Sequence, residues 1–406
     1  MGKRETRKIE IIELAFSTWS KEQFAHTSME SLAQAVGMTK PALYRYFSGK
    51  EALLEEMRAY FARLYDSLCA EVQSSDGRGG LKERFKNYNE TLIRFFAEHT
   101  EYFAYAMTMY IPRSKEESVE MNHIEDRHRE MFPDSILESP LRRSPEEVRT
   151  LRGFLIAVGA YFLSLRGGAC GKTWYPSPED LLRLNETIVF RGFGNRELLE
   201  RVDYAAVEEK CVIGEEDLLE PDHIFSAISE VVAESGLWHA SLEKIAQKAG
   251  MTKSSLYFYF ENRNDMLWKM IDRERHHVGG LFLERSADFN RFEEKLYAYF
   301  LLFGGYMARR PDFMAVMNWF RFQRINLHVP NHAKAGMEKY VRFLREGMEQ
   351  NKLLPLGQDE MTIIRFIHFI LINEINKEYW SEISEEEMGD SFRVLYELFL
   401  YGVEGA

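Results

Sequence analysis

Side chains that suit contact with DNA cluster around residue 42: Lys40, Tyr44, Arg45 and Tyr46. Lysine and arginine bind phosphates and the edges of bases, while tyrosine rings stack on sugars and donate to phosphate. In a helix, Leu43 and Phe47 would point inward together and leave these groups on the outer faces. The segment therefore suits a helix that reads DNA, although an ordinary helical hairpin with a solvated face carries a similar mixture.

The residues around this cluster predict the elements that position it. Thr27 with Glu30 can form a capping box at the start of a first short helix. Gly37 ends that helix, at a turn that needs a positive φ. Thr39 can then cap the second helix, where Pro41 is tolerated because it lies in the first turn. Two short helices joined by a tight turn form a helix-turn-helix.

The same segment occurs a second time, 213 residues later. Twelve of twenty positions are identical between residues 28–47 and 241–260. If this face were only solvated, one lysine and two tyrosines would not be expected at the same positions in both copies. The repeat therefore favours a DNA-reading function and divides the chain into two nearly equal halves.

The motif MTK-x-x-LY-x-YF stands at residues 38–47 and again at 251–260. It resembles the helix-turn-helix of the TetR family of ligand-responsive transcription regulators, so the chain resembles two TetR-type subunits fused in tandem. The resemblance implies an all-α fold in which each half has a helix-turn-helix bundle followed by a helical ligand-binding and dimerisation domain. The family's usual unit is a homodimer of one-copy chains, from which this chain departs.

The repeat and the resemblance together predict five segments. We expect the first helix-turn-helix domain at residues 1–50, the first helical domain at 51–194, a connector at 195–221, and the second copies at 222–263 and 264–406. The resemblance implies that the last two helices of each half join in a four-helix core, which would make one chain an intramolecular pseudo-dimer. These helices are predicted at residues 154–165, 179–190, 362–375 and 385–403.

Two segments beside the heads carry charge. Residues Lys3, Arg4, Arg7 and Lys8 precede a first helix predicted from Ile9, and would form either a basic arm that reaches toward DNA or a frayed terminus. Within the connector, residues 195–210 look helical and residues 212–221 form an acidic linker.

The resemblance implies roles for the residues at matching positions. In the first head, the base-facing residues would be Lys40, Pro41, Tyr44 and Arg45, and the phosphate-binding residues Thr39, Tyr46 and Lys50. In the second head, the base-facing set is Lys253, Ser254, Tyr257 and Phe258, and the phosphate-binding set is Thr252, Tyr259 and Arg263.

The resemblance also implies a small-molecule pocket among the middle helices of each half. Aromatic residues make up 14% of the chain, and many fall there, which favours a small apolar or aromatic effector. The candidate lining residues are Phe96, Tyr102, Phe103, Tyr110, Phe303, Tyr306, Phe313 and Phe320. Taken one by one, each of them fits an ordinary core position better than a pocket wall.

Composition limits the other function classes. The net charge is −12, yet residues 28–50 and 241–263 each carry a net +2, so the basic groups concentrate in the heads. Three separate cysteines, Cys69, Cys170 and Cys211, argue against a zinc site or a disulfide framework and fit a reducing cytoplasm. No metal cluster, cofactor motif or nucleophile motif supports an enzyme, and the longest apolar run, residues 154–165, is too short to cross a bilayer.

These patterns predict a cytoplasmic, sequence-specific repressor with two non-identical heads on one chain. It would bind an imperfectly palindromic DNA operator and leave it when a small effector binds. The alternative is a helical protein-interaction scaffold in which one or both helix-turn-helix units no longer bind DNA. The acidic approach to the second head, residues 215–222, keeps that alternative open.

Overall fold

The computed structural model describes residues 2–21, 28–74, 79–109, 118–138, 144–166, 177–220, 222–259, 263–322, 331–381 and 385–405. Across these ranges the regular structure is helical, and β pairing is limited to one antiparallel bridge between Gly194 and Leu353. The predicted all-α fold is confirmed.

The helices of the first half and the connector are α1 (Lys3–Lys21), α2 (Met29–Ala35), α3 (Lys40–Tyr44), α4 (Lys50–Ser74), α5 (Leu81–Tyr88), α6 (Arg94–Glu98), α7 (Thr100–Met109), α8 (Ser118–Met131), α9 (Asp134–Leu137), α10 (Pro145–Arg166), α11 (Pro178–Arg191) and α12 (Tyr204–Lys210). A π-helical turn, Asn89–Ile93, joins α5 to α6. Those of the second half are α13 (His223–His239), α14 (Leu242–Lys248), α15 (Lys253–Tyr259), α16 (Arg263–Arg285), α17 (Phe292–Ala308), α18 (Pro311–Phe322), α19 (Asn331–Glu349), α20 (Glu360–Ser381) and α21 (Glu385–Tyr401).

The two halves repeat one order of elements. A head of three helices, α1–α3 or α13–α15, is followed by a long helix, α4 or α16, that leads into the remaining helices, which we call the body. The long helices begin at Lys50 and Arg263. These starts coincide with the expected borders between head and body, although the domain limits themselves stay predictions.

The halves meet through the last two helices of each, where α10 packs against both α20 and α21 and α11 packs against α21. Phe366 of α20 lies among rings of the first half, with centroids 5.2 Å from Tyr161, 6.0 Å from Phe162 and 5.5 Å from Phe193. Buried aromatic pairs contribute both apolar area and favourable ring geometry. The expected four-helix core is therefore present, although α10 begins at Pro145, nine residues before the predicted start.

Buried polar groups also form hydrogen bonds between the two halves within this core. The hydroxyl of Thr150 donates to Glu374 at 2.7 Å and lies 3.3 Å from the Ser391 hydroxyl. All three side chains are buried. The Tyr161 hydroxyl donates to the carbonyl of Thr362 at 2.7 Å. Such groups find partners only when the halves pair in one register, so they make that register specific.

Two glycines let the ends of α11 and α21 cross in close contact. Gly192 has φ +72° and Gly402 has φ +59°, a region that L side chains rarely adopt. A Cβ on Gly192 would lie 2.4 Å from the carbonyl oxygen of Leu400, and one on Gly402 would lie 2.5 Å from the carbonyl carbon of Phe190. Backbone hydrogen bonds flank the crossing: Phe193 N–H to Phe399 O (2.7 Å), Gly194 N–H to Leu400 O (2.9 Å) and Val403 N–H to Val189 O (2.8 Å).

The connector differs from the prediction, because residues 195–203 are not helical. Helix α12 starts only after Asp203, whose carboxylate accepts the N–H of Ala206 at 3.2 Å. Before that cap, backbone groups find partners on the second half, as when the Asn195 N–H donates to the carbonyl of Lys352 at 2.8 Å. These external partners replace the hydrogen bonds that a helix would have formed.

Rings join the first head to its body, in what we call the aromatic junction: Phe16, Tyr60, Phe61, Tyr102 and Tyr105. Phe16 of α1 lies 4.9 Å from Tyr102 and 4.9 Å from Tyr105, both on α7. Tyr60 and Tyr102 stack at 6.4 Å, and Phe61 lies 5.1 Å from Tyr105. Ring contacts therefore connect α1, α4 and α7, together with a hydrogen bond of 2.7 Å that the Tyr60 hydroxyl donates to Glu13 of α1.

Charged groups lie beside the contact between the second head and its body, in what we call the ionic junction: Glu274, Tyr306, Arg310 and Asp312. Arg310 reaches the head by lying over the ring of Phe225 of α13, 5.8 Å from its centroid. The Arg310 guanidinium lies 2.8 Å from Glu274 and 2.8 Å from Asp312, and also donates to the carbonyl of Leu219 at 2.8 Å. The Tyr306 hydroxyl donates to Glu274 at 2.5 Å. Arg310 is 3% exposed and Glu274 is 0% exposed, so this ion pair is fully withdrawn from water.

One helix segment in the described chain, Pro145–Leu165, is long and apolar enough to span a membrane. In the protein, 72% of its most apolar window is buried against other helices. A core helix has the same property. The residues that the structure covers hold no group of three or more His, Cys, Asp or Glu side chains placed to bind a metal ion.

Candidate nucleic-acid interface

The first head builds its turn largely as predicted, but with a different cap. Ser28 begins α2, and its hydroxyl accepts the N–H of Ser31 at 3.0 Å while the Ser31 hydroxyl accepts the N–H of Ser28 at 2.9 Å. Thr27 lies outside the described residues, and Glu30 is not the partner in the box. Gly37 has φ +67°, as the turn requires.

Helix α3 is anchored by Leu43 and, just beyond its end, Phe47, both of which are buried. The predicted base-facing side chains are all exposed: Lys40, Pro41, Tyr44 and Arg45. The Tyr44 side chain is 44% exposed, although large aromatic side chains are usually buried. This face therefore presents two cations and an accessible phenol ring to solvent.

The predicted basic arm is wrong, because its residues belong to α1: Lys3, Arg4, Arg7 and Lys8. Residues 3–8 include good helix formers, so the helix begins at Lys3 rather than at Ile9. Arg4 donates to the carbonyl of Arg45 at 3.0 Å, just past the end of α3. Arg7 donates to the carbonyl of Val36 at 3.3 Å, at the end of α2. These arginines hold the reading helix and its turn against α1, a role that the sequence did not predict.

The predicted phosphate-binding residues lie at the two ends of α3. Thr39 is the exposed N-cap residue, and its hydroxyl makes no capping hydrogen bond. Tyr46 is half-buried against the core. Lys50 is also half-buried, and burial lowers the pKa of its ammonium while the charge of Glu51 opposes that shift. A partly desolvated cation gains more from a nearby phosphate than a fully solvated one.

The second head repeats the turn with added hydroxyl contacts. The Ser241 hydroxyl accepts the N–H of Lys244 at 3.3 Å, and Gly250 has φ +64°. The Thr252 hydroxyl accepts the N–H of Ser255 at 3.0 Å. The predicted phosphate contact of Thr252 therefore competes with an internal cap that the hydroxyl of Thr39 does not make.

The outer face of α15 is described only in part. Leu256 is buried and anchors the helix, while Lys253 and Ser254 are exposed. The backbones of the remaining predicted residues lie in α15 or at the start of α16, but their side chains are outside the described structure: Tyr257, Phe258, Tyr259 and Arg263.

Acidic neighbours pair with the cations of the second head. Lys253 forms an ion pair with Glu243, and the hydrogen bond from Lys253 lowers the pKa of Glu243. Lys248 lies 2.5 Å from Glu234 and 2.9 Å from Glu230, and these hydrogen bonds raise the pKa of Lys248. In the first head, by contrast, Lys40 is 3.8 Å from its nearest acidic partner.

The acidic linker before the second head is bound by arginines. The contacts are Arg309 with Glu215 (3.6 Å), Arg285 with Asp217 (2.6 Å), Arg310 with the carbonyl of Leu219 (2.8 Å) and Arg273 with Asp222 (3.3 Å). Their guanidinium groups neutralise much of the linker's charge, so the linker repels DNA less than its sequence suggests.

The described candidate effector residues of the first body, Phe96, Tyr102 and Phe103, are buried. Phe96 and Phe103 pack against each other at 5.9 Å. Tyr102 belongs to the aromatic junction. Tyr110 lies outside the described residues.

In the second body, the candidates divide between two places. Phe303 stacks on Tyr299 at 4.0 Å, inside the body. Tyr306 belongs to the ionic junction, and Phe313 lies 6.1 Å from Phe225 of α13, beside that junction. The side chain of Phe320 is not described. The pocket prediction therefore mixes residues of the head–body contact with residues of the interior.

A comparison with known families decides what these heads are. The family model for bacterial regulatory proteins of the tetR family matches residues 11–57 and 224–269, which cover both heads and the starts of α4 and α16. The chain therefore carries two TetR-type helix-turn-helix regions in tandem. The two units match at the same elements, so the predicted tandem arrangement is confirmed.

Two curated proteins similar to this chain are regulators. The fatty acid metabolism regulator protein of Bacillus subtilis (strain 168) is 36% identical over 65 residues, 16% of this chain and 31% of that protein. The HTH-type transcriptional regulator BetI of Proteus mirabilis (strain HI4320) is 25% identical over 108 residues, 27% of this chain and 54% of that protein. The chain thus spans about a third to a half of the length of these relatives.

One similar solved structure is the fatty acid degradation regulator FadR from Bacillus halodurans. It covers 48% of this chain and 99% of its own, with 20% identity and a TM-score of 0.36.

Proposed function

We propose that the tandem TetR chain is a sequence-specific DNA-binding repressor that a small apolar or aromatic effector releases from its operator. The observation that carries this proposal is the outer face of α3, where Lys40, Tyr44 and Arg45 stay exposed on a helix anchored from behind by Leu43 and Arg4. A rigid helix with exposed cations suits the major groove of DNA. A regulator of this kind acts on DNA in the cytoplasm, and we assign no catalytic role to the chain.

Both heads would act from one chain. The four-helix core holds the halves together and so fixes the distance between α3 and α15, as half-sites on successive major grooves require. The heads differ at their outer faces, since Arg45 corresponds to Phe258 and Pro41 to Ser254. Arginine can grip guanine with two hydrogen bonds, whereas phenylalanine offers only apolar contact to a thymine methyl. The operator would therefore be an imperfect palindrome.

Effector release would act through the distance between the heads. The head helices α1 and α13 pack against the body helices α7 and α18, beside the two junctions. A ligand that favours another arrangement of the body helices would shift the heads to a spacing that no longer fits the operator. Ligands that stabilise the protein thermally should then also lower its DNA affinity.

Two measurements test the proposal. Preferred sites are selected from random DNA, and the mass of the smallest specific complex on such a site is then determined. We expect one chain on each selected site and two related but unequal half-sites. Two chains in the smallest complex, or a perfectly palindromic site, would show that each chain uses one head. Absence of any enriched sequence would contradict the DNA-binding function altogether.

A second candidate function follows from the ion pairs of the second head. Because Lys253 pairs with Glu243 and Lys248 with two glutamates, that head could serve as a helical protein-interaction surface and leave DNA to the first head. Separate Lys40→Ala and Lys253→Ala variants distinguish the two functions. Equal losses of operator affinity support two reading heads, whereas a loss confined to Lys40→Ala supports one.

A further inference from the structure

Among the described residues, the interior of the second body contains a phenol group without a hydrogen-bond partner. Tyr340 of α19 is 3% exposed, and its hydroxyl is among the buried polar atoms that the described structure leaves unbonded. Buried polar groups are nearly always hydrogen-bonded, because exchanging a hydrogen bond to water for no bond at all is unfavourable. A buried hydroxyl without a partner in the chain therefore suggests a partner that comes from outside the chain.

Aromatic rings surround this part of the interior. The ring of Phe303 lies 5.9 Å from that of Tyr340 and 5.3 Å from that of His368. Tyr299 stacks on Phe303 at 4.0 Å, and its hydroxyl forms a hydrogen bond with His368 Nε2 at 2.8 Å. Helices α17, α19 and α20 thus supply flat apolar walls beside the phenol of Tyr340.

Two arginine guanidinium groups lie near the same interior. Arg275 of α16 is buried and forms an ion pair with Asp272, and Arg365 of α20 adds a second guanidinium. Burial, assisted by the charges of Arg275 and Arg365, lowers the pKa of His368 to about 3. Burial raises the pKa of Tyr340, and the charge of Arg275 opposes that rise. The neutral histidine and the phenol therefore both lie within a positive field.

The positive charge belongs to the second copy of the repeat. Helices α4 and α16 occupy the same register, and the residue 213 positions before Arg275 is Ala62. The first body thus has a methyl group where the second has a guanidinium. A ligand that needs this cation would bind the second body.

We propose that the cluster of Tyr340, Arg275 and His368 binds the carboxylate of a small monocarboxylic acid, whose apolar part packs against Phe303 and Tyr299. The Tyr340 hydroxyl would donate to a carboxylate oxygen, and the guanidinium groups would stabilise the negative charge. Hydrogen bonds to charged acceptors are stronger than those between neutral groups. This inference rests on the proposed function only in that the acid would be the effector.

Calorimetric titration without DNA tests the site, with benzoate and octanoate as probes and benzamide and octanamide as neutral counterparts. We expect the acids to bind and to raise the melting temperature, and the amides to bind at least about 10-fold more weakly. In Tyr340→Phe, acid affinity should fall about 10-fold or more. The melting temperature of the ligand-free variant should stay equal or rise, because the substitution removes an unpaired buried hydroxyl.

Tyr396→Phe is the matched control. Tyr396 is buried in the same half, and its hydroxyl donates to the carbonyl of Glu293 at 3.3 Å. Its loss should lower the melting temperature slightly and leave acid affinity unchanged.

Three results would overturn the inference: no binding of either acid, equal binding of acids and amides, or unchanged acid affinity in Tyr340→Phe. Operator affinity, measured separately, distinguishes this site from the proposed function. Acids that bind through Tyr340 without weakening operator binding would confirm the site and contradict effector release.

Discussion

The two halves place different side chains beside the contact between head and body. The aromatic junction of the first half uses ring contacts, and the ionic junction of the second uses a buried ion pair. One register position of the long helix differs accordingly, with Phe61 in the first copy and Glu274 in the second. The same fold thus tolerates either interaction at the place where a signal would pass from body to head.

The two junctions should respond differently to a shift of the body helices. Apolar contact between rings is less directional than a hydrogen-bonded ion pair, so it should persist over a wider range of arrangements. A buried ion pair offsets the desolvation of its charges only in a narrow range of geometries. We therefore expect the first head to adjust its orientation, and the second head to keep one orientation until its junction breaks.

The largest expected effect comes from breaking the ionic junction with Arg310→Met. The variant leaves Glu274 buried without its guanidinium partner, and we expect the free energy of unfolding to fall by about 3–5 kcal/mol. Urea unfolding measures the loss. Adding Glu274→Leu removes the orphaned charge, so the double variant should recover most of it. A double variant no more stable than Arg310→Met would show that the charges are not coupled.

The next effect distinguishes the two reading helices. Arg45→Ala should relax base choice at one position of one half-site, with a loss of discrimination of about 1–3 kcal/mol. Affinities over a panel of operator variants measure it. Lys50→Ala is the control, since a phosphate contact should weaken all sequences alike and lower the salt dependence by about one unit. Unchanged relative affinities in Arg45→Ala would show that Arg45 does not read bases.

A fall in pH should destabilise the second body before it destabilises the first. His368 has a pKa of about 3 in the folded protein, below its ordinary 6.5, so the unfolded state binds more protons between these values. The free energy of unfolding should therefore fall as the pH drops from about 6.5 toward 3, by about 1 kcal/mol per pH unit. Hydrogen exchange resolves the two bodies. His368→Gln should flatten the response of α17 and α20, and an equal response in wild type and variant would contradict this assignment.

The smallest effect concerns the paired lysines of the heads. Glu243→Gln removes the ion pair between Glu243 and Lys253 and should strengthen operator binding at low salt by less than about 5-fold, because exposed ion pairs are weak. Glu30→Gln is the matched change in the first head, where the pair is longer at 3.8 Å, and its effect should be smaller still. Fluorescence anisotropy over a salt series measures both. A larger gain from Glu30→Gln would reverse the assigned order of the two pairs.

The sequence predicts the elements of the heads because their signals are local. The turn glycines, the inward-facing Leu43 and the doubled motif all lie within a few residues of what they determine. The cap falls at Ser28, one residue after the predicted Thr27, because several adjacent side chains can serve as caps. The choice depends on where the helix packs, which a sequence window does not contain.

The parts that the sequence does not predict depend on contacts between distant residues. Glu274 and Arg310 are 36 residues apart and follow no local pattern. The available signal is the change from Phe61 to Glu274 at one register of the repeat. The prediction of a basic arm at Arg4 is wrong because Arg4 donates to the backbone carbonyl of Arg45. The sequence does not show which backbone carbonyl will accept a hydrogen bond from a distant side chain. Backbone acceptors of this kind become visible only in three dimensions.

The crossing of Gly192 and Gly402 has a consequence for how the protein is made. The two glycines are 210 residues apart, and at 5–20 residues per second a ribosome needs about 10–40 s to pass from one to the other. During that interval, α10 and α11 have been synthesised but lack the α20 and α21 that cover them. Two nascent chains on one messenger can meet through these uncovered faces and exchange halves. The rate of translation between the two glycines therefore influences whether a ribosome yields a self-contained chain or an entangled pair.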